Sequence, residues 1–429
     1  MRIVIVGGGA GGLELACKLG RELGPEQVFL VDNKLFHIWK PTLHEVAAGT
    51  LDYHQEGLSY LMLAHDNRFS FVYGPMLALD QPAREISVGE TRGDDGEIIV
   101  PERRLPYDQL VIAIGSTANH FGVPGAAEHT LALNGPEDAE RFRLRMLKLL
   151  TAAELRKERD PTAGIDIVII GGGATGVELA AELREASAVH SRYGFAHLDP
   201  LRDVRITLLE GAARILAPLP EKVSTSAARL LAERHVTVFA NCRVVRIEAD
   251  AIFDADGRRH PADITVWSAG IKAPPLLATL GLPVNRGGQL EVDGQLRVNG
   301  QAAIYALGDC AACAGADGRL VPPRAQAAHQ QADYLFAALM ALSRGKPVPS
   351  EPYLYRDHGS LVSIGTQTTV GSLMGALSAS WFIEGLFARL MYVSLHLMHH
   401  RAVLGSMRTA VLALARFLVK RATPLVKLH

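Results

Sequence analysis

The chain has 429 residues, 48% of them hydrophobic and 21% charged, an ordinary globular balance in a length that calls for two or three domains. Lys and Arg (44) offset Asp and Glu (45), so nothing in the overall charge favours nucleic acid as a partner. Four cysteines cannot frame a fold of this size by disulfides, and they suit a reducing compartment.

In chain order, Arg2 to Val6 reads as a strand that starts at once and leaves no room for a signal peptide. It enters GGGAGG, Gly7 to Gly12, and then a helical pattern through Leu13, Leu15, Ala16 and Leu19 that Gly24-Pro25 ends. Val28 to Val31 is the next strand, with Asp32 at its end. From about Asp80 to Pro106, short strands are expected around the turn Asp94-Asp95-Gly96. A helix follows, with Asn134 as its expected cap, Pro136, Glu137 and Asp138 in its first turn, and an end near Lys157. The opening plan then recurs. Ile165 to Ile170 is a strand, GGGATG spans Gly171 to Gly176, Val177 to Arg184 starts a helix, and Val204 to Leu209 is a strand ending in Glu210. Val244 to Phe253, with a turn at Asp256-Gly257, is a second insert of short strands. A strand from Ile304 delivers Gly308 and Asp309 to a helix start. His358 to Ile383 is uncharged but rich in Gly, Ser and Thr. A spanning helix needs about 20 apolar residues, so this stretch reads as turn-separated strands.

The recurring unit has a chemical reason. The first glycine (Gly7, Gly171) makes a tight turn, the second (Gly9, Gly173) lets backbone N–H groups approach a pyrophosphate, and the third (Gly12, Gly176) lets helix and strand pack closely. An acid at the end of the following strand accepts from the adenosine ribose. Asp32 follows Gly12 at the expected spacing of about 20 residues, and Glu210 comes later because Ala186 to Arg202 lengthens the crossover. A single glycine motif is weak evidence. Two copies, each between strand and helix and each followed by an acid, point to two dinucleotide sites. A carboxylate at Glu210 repels a 2′-phosphate and so favours NADH over NADPH, with nearby Arg214 as the counterweight.

The whole pattern resembles the flavoproteins with two dinucleotide-binding domains. The resemblance implies an α/β fold with two Rossmann-type domains, glutathione-reductase-like, the first holding FAD non-covalently and the second binding NADH as substrate. Asp309 would bind the ribityl chain. Leu110 to Gly115 and Thr265 to Gly270 look like the short strands that lead between the domains. Within the superfamily, Pro322 to Gln331 with its AQxxxQ (Ala325, Gln326, Gln330) resembles the quinone-site motif of type II NADH:quinone oxidoreductases. Lys40 to Gly49, Phe121 to Gly125, Val177-Glu178 and the ending Pro424 to His429 add to the likeness. It implies hydride transfer from NADH to FAD and then reduction of a membrane quinone to quinol, without proton pumping.

Residue by residue, it assigns Gly7, Gly8, Gly9, Ala10, Gly11, Gly12, Asp32, Asn33, Met76, Gly115, Gly308, Asp309, Ala325 and Gln326 to FAD. Gly171, Gly173, Gly176, Glu178, Glu210 and Gly270 go to NADH. Glu178, Gln326 and Gln330 are the catalytic candidates, and the two glutamines share one helix face. Amide side chains suit a quinone carbonyl because they donate hydrogen bonds without adding charge. Residues 1–125 and 296–345 would form the FAD domain, 126–295 the NADH domain, and 346–429 strands and helices. The proton donor to the quinone is open, with His329 set on another side of the helix from Gln326.

Cys17 reads as core and Cys242 as solitary. Cys310 and Cys313 form a CxxC on the ribityl side, which leaves a soluble disulfide or peroxide reductase as the alternative enzyme; a non-catalytic redox sensor is the other alternative. From Trp381 onward, Arg389, Arg401, Arg408, Arg416, Lys420, Arg421 and Lys427 face one acid, Glu384. On a helix, Arg401, Arg408, Arg416 and Lys420 fall on one side, with Val403, Leu404, Met407, Val411, Leu414 and Leu418 mostly opposite. Such a basic amphipathic helix suits the surface of an anionic bilayer, and Leu386 to Met398 reads as a second one. A peripheral protein on the cytoplasmic face of the inner (cell) membrane is expected, with no metal and with a homodimer left open.

Overall fold

A computed structural model of the chain describes residues 1–93, 95–195, 197–315, 318–365, 368–374, 380–422 and 426–427. Two five-stranded parallel sheets carry the fold. The first has the order Ile304–Ala306, Gln109–Ile112, Ile3–Val6, Val28–Asp32, Ser70–Tyr73. The second repeats that plan as Leu131–Ala132, Ile264–Trp267, Ile165–Ile170, Val204–Leu209, Val236–Phe239. In both, the strand before the glycine loop is central and every residue of it is buried or nearly so, as a sheet covered on both faces requires.

Seven longer helices dress the sheets: α1 (Ala10–Leu23), α2 (Pro136–Lys157), α3 (Ala174–Arg192), α4 (Glu221–Glu233), α5 (Ala325–Ser343), α6 (Leu386–Leu404) and α7 (Ser406–Ala422). α1 ends as expected at Gly24, whose φ of 88° only glycine takes easily. α2 starts one residue later than the sequence suggests. Gly135 is its N-cap, and the Asn134 side chain instead accepts from Ala118 N–H at 2.8 Å. The expected short strands are present at Glu85–Val88, Thr91–Arg92, Ile98–Val100 and Arg103–Pro106, with Met76–Asp80 before them, and at Val244–Ile247 and Ala251–Asp254, with Arg259–Pro261 after them. In the Asp94-Asp95-Gly96 turn, Asp94 lies outside the described residues.

Two expectations need correction. Gln109–Ile112 and Ile264–Trp267 do not cross between the domains but are inner strands of the two parallel sheets. The crossing is made just after each of them, where Thr117–Ala118 pairs antiparallel with Ile271–Lys272. In addition, Ala273, Leu277, Leu280, Leu282 and Leu290 pack with Val4, Ile112 and Ile304 in the core of the first sheet. Their apolar side chains belong with the first domain, so we place its return near Ile271, earlier than residue 296.

The stretch read as turn-separated strands is a three-stranded antiparallel sheet: Gly359–Ser363, Thr369–Met374 and Ser380–Glu384. Val362, Ile364 and Val370 bury it against the second domain, and α6 and α7 follow as a hairpin bent at Gly405.

Candidate active site

The first glycine loop has the shape its sequence demands. Gly7 takes φ 105°, and a Cβ at Gly12 would overlap the Gly7 carbonyl oxygen. A Cβ at Gly9 would meet no atom within 4 Å, so the backbone there presents an open cradle at the start of α1. Asp32 closes the loop: its carboxylate accepts from Gly8 N–H at 2.6 Å and from Lys34 N–H at 2.8 Å. Burial pushes this carboxyl up against those bonds. Asn33, Met76, Gly115, Gly308 and Asp309 line the same space. Ser116 donates to Asp309 at 2.7 Å, and Gly308 N–H donates to Gln331. Donors, acid and open cradle fit FAD.

The second loop repeats this arrangement. Gly171 takes φ 109°, a Cβ at Gly176 would overlap the Gly171 carbonyl, and Gly173 is open for 4 Å. Glu210 accepts from Gly172 N–H and from Ala212 N–H, both at 2.6 Å. Arg214 is engaged elsewhere, donating to the carbonyls of Ala217 and Leu219 at 2.7 and 2.9 Å. Its guanidinium is thus tied to backbone carbonyls a few residues downstream.

One cavity of about 2040 Å³ joins these features. It is lined by Gly7 to Gly11, by Gly173 to Thr175, by Glu178, and by Ala325, Gln326 and Gln330, and it continues beneath α6 and α7. Gly171, Gly176, Glu210 and Gly270 lie outside its lining. The first three shape the second loop; Gly270 takes φ 112° just before the domain crossing, and Asn119 N–H donates to its carbonyl at 3.1 Å.

The glutamines behave differently from a simple donor pair. Gln326 gives its amide N–H groups to Asp357 Oδ1 and the Gly359 carbonyl, both at 3.2 Å, and accepts from His358 N–H. Gln330 pairs with the backbone of Arg356 in both directions, at 2.8 and 3.0 Å. The AQxxxQ run thus fixes residues 356–359, of which His358 and Gly359 line the cavity, and one Gln330 N–H is left outside these bonds.

Two acids of α3 share the space: Glu178, already a candidate from the sequence, and Glu182, which was not. Glu178 accepts from Ser363 N–H at 3.0 Å and lies 3.6 Å from His44 Nδ1; burial raises its carboxyl despite both. One turn along α3, Glu182 is pushed up to about 7, first by burial and then by the charge of Glu45. The four-residue spacing from Glu178 was the signal that could have found it. The Tyr392 hydroxyl is buried in the lining with no hydrogen-bond partner among the described residues.

A second polar chain runs from the first loop to the tail. The Gly8 carbonyl accepts from Tyr60 at 2.6 Å and is 2.9 Å from His37 Nδ1; His37 Nε2 meets His399 Nε2 at 2.9 Å; His399 Nδ1 meets Glu14 at 2.8 Å. His329 bonds the other Glu14 oxygen, which explains why it turns from Gln326. Burial alone would raise the Glu14 carboxyl, but bonds and charge from His329 and His399 hold it down at about 2. Trp39 stacks on His399 with ring centres 4.3 Å apart.

The apolar side of α7 faces away from the protein, the orientation that the sequence reading of a surface-lying amphipathic helix expects. Met407, Val411, Leu414 and Leu418 are 57–82% exposed, and Leu412 and Val419 point outward as well. Val403, by contrast, is fully buried in the first domain's core. On the basic side of α7, Arg408 pairs with Asp66 and Arg416 with Glu56, and beyond the helix Lys427 pairs with Asp52. The side chains of Trp381, Arg389, Lys420 and Arg421, and Pro424, Leu425, Leu428 and His429 entirely, lie outside the described residues. Among the described residues, no helix is long and apolar enough to cross a membrane.

All four cysteines are free and buried. Cys310 donates separately to the Ile112 and Leu307 carbonyls, and burial pushes its thiol up to about 12 and that of Cys313 to about 11. Thiols in that state do not attack a disulfide near neutral pH.

The sequence family described as pyridine nucleotide-disulphide oxidoreductase matches residues 1–332. A type II NADH:quinone oxidoreductase from Haemophilus influenzae is 37% identical over 444 residues, covering 100% of this chain and 99% of that one. A demethylphylloquinone reductase from Synechocystis is 31% identical over 381 residues, 87% of each chain. Among solved structures, NDH2 from Plasmodium falciparum in complex with NADH superposes with a TM-score of 0.82 over 99% of each chain, at 18% identity. The sulfide:quinone oxidoreductase of Aquifex aeolicus reaches 0.72 over 95% of this chain and 92% of that one, also at 18% identity. These two structural likenesses speak for the fold alone.

Proposed function

Because the chain belongs to the pyridine nucleotide-disulphide oxidoreductases and, within them, to the type II NADH:quinone oxidoreductases, we infer that it oxidises NADH and reduces a quinone with FAD as its cofactor. The observation that carries this reading is the single cavity lined by both glycine loops and by the AQxxxQ helix. FAD, when bound, supplies a carrier that takes two electrons from NADH and passes them to the quinone. Gly7 to Gly12, Asp32, Asn33, Met76, Gly115, Gly308, Asp309, Ala325 and Gln326 would hold it. Gly171, Gly173, Gly176, Glu210 and Gly270 would hold NADH, with Glu178 beside the nicotinamide.

For the quinone we assign the wall at His358 and Gly359, within the run 356–359 that Gln326 and Gln330 fix. The remaining Gln330 N–H and the unpartnered Tyr392 hydroxyl are the donors for its carbonyl oxygens. Glu182 is the proton source: a carboxyl near 7 in the same cavity is protonated for much of the time at neutral pH. The exposed apolar side of α7 would enter the headgroup boundary of the bilayer, and the cavity beneath it would admit quinone from there. Free, buried cysteines agree with the cytoplasmic face of the cell membrane.

Steady-state turnover tests the function. NADH with a soluble quinone is expected to turn over rapidly, NADPH more slowly, and NADH with a small disulfide hardly at all. Faster turnover with the disulfide than with the quinone would reverse the assignment.

A further inference from the structure

We propose that Cys242, Asp254 and His260 form a site for a divalent ion of the zinc class, in the hairpin insert of the second domain. Asp254 ends the strand Ala251–Asp254, His260 sits opposite Ile252 on the strand Arg259–Pro261, and Cys242 lies just past the Val236–Phe239 strand. All three side chains are buried. Their donor atoms converge on one point. Cys242 Sγ is 3.5 Å from Asp254 Oδ2 and 3.8 Å from His260 Nε2, and those two are 3.0 Å apart.

The geometry separates an ion site from a hydrogen-bonded relay. In a relay, a histidine uses its two ring nitrogens for two different partners. Here the same Nε2 faces both the thiol and the carboxylate. A triangle with these sides has a point about 2.0 Å from every corner, against zinc distances of about 2.0–2.2 Å to N and O and about 2.3 Å to S. The longer sulfur bond lifts the ion slightly out of the donor plane, on the side where a fourth ligand completes a tetrahedron. A thiolate and a carboxylate together balance a charge of +2.

Outer hydrogen bonds already hold Asp254 and Cys242, two of the three ligands. The other Asp254 oxygen accepts from the N–H groups of Asp256 and Arg258 at 3.1 and 2.9 Å. The Phe239 ring meets the imidazole edge-on at 5.3 Å. Cys242 N–H donates to the Glu210 carbonyl at 2.8 Å, so the ion would staple the insert to the end of the strand Val204–Leu209. The site stands on its own residues and is independent of the quinone assignment.

The test uses the full chain with FAD bound, stripped with a chelator and then titrated with zinc chloride against a competing dye. One zinc per chain is expected. Cys242→Ser and His260→Gln should each weaken binding by more than the ~10–100-fold that loss of an outer contact costs, and Cys17→Ser should leave it unchanged. Zinc binding that is equal in all four proteins would overturn the proposal. Because a core variant can misfold, the unaltered protein is also loaded with cobalt(II), and its spectrum is recorded as a difference against the zinc form. A sulfur-to-cobalt charge-transfer band is expected, and a cobalt spectrum without one would overturn the proposal by itself.

Discussion

Glu182 and Glu14 are both buried carboxylates in or beside one cavity, yet their surroundings push them in opposite directions. Glu182 is raised by burial and then by the charge of Glu45, to about 7. Its ionisation therefore costs stability as pH climbs from the unfolded value of about 4.5 through 7. Glu182→Gln should match the parent protein near pH 4 and be more stable at pH 8, by on the order of 3 kcal/mol in urea titrations. As the proton source, it should also lose on the order of 10²-fold in quinone reduction, along with the fall in rate as pH rises through 7. Unchanged quinone kinetics would remove it from the mechanism. Glu14 has two histidines on its oxygens and is held at about 2. Its contribution is present above pH 4.5 and is lost as pH falls towards 2. Glu14→Gln should therefore cost on the order of 3 kcal/mol at pH 7, about half of that at pH 3 and little at pH 2. A loss that does not vary with pH would point to packing alone.

At the level of elements, what was legible depended on whether the signal was local. The glycine loops were readable because turn, cradle and close packing all fall within six residues, and Asp32 and Glu210 take matching roles through matching N–H bonds. The amphipathic character of α7 was readable too, but a helical wheel shows two sides without saying which faces inward. Asp66 and Glu56, far upstream, pair with Arg408 and Arg416 of α7, and its apolar side turns out. Deleting the tail would also remove Val403 from the core, so a gentler change is the better test. Replacing Met407, Val411, Leu414 and Leu418 together with glutamine should release the protein from lipid vesicles, while soluble-quinone turnover stays within about twofold. Continued vesicle binding would contradict the membrane role. Release from vesicles accompanied by loss of a dimer would give that face to a second copy of the chain.

Over the whole molecule, the partners that sequence reading missed are those that only the fold brings together. Glu14 and His399 stand 385 residues apart and touch because α6 packs on α1. Cys242 looked solitary because Asp254 and His260 come from two strands of a hairpin at no motif spacing. The two parallel sheets were legible from their glycine loops; the packing of Ala273, Leu277, Leu280, Leu282 and Leu290 with the first sheet was not, because apolar side chains carry no mark of which core they will join. The central claim, a single cavity that links NADH to a quinone, is tested most directly by following flavin absorbance without oxygen. One equivalent of NADH should bleach it, and one equivalent of quinone added to the same sample should restore it within the turnover time. Bleaching by NADH that quinone fails to reverse would contradict the account.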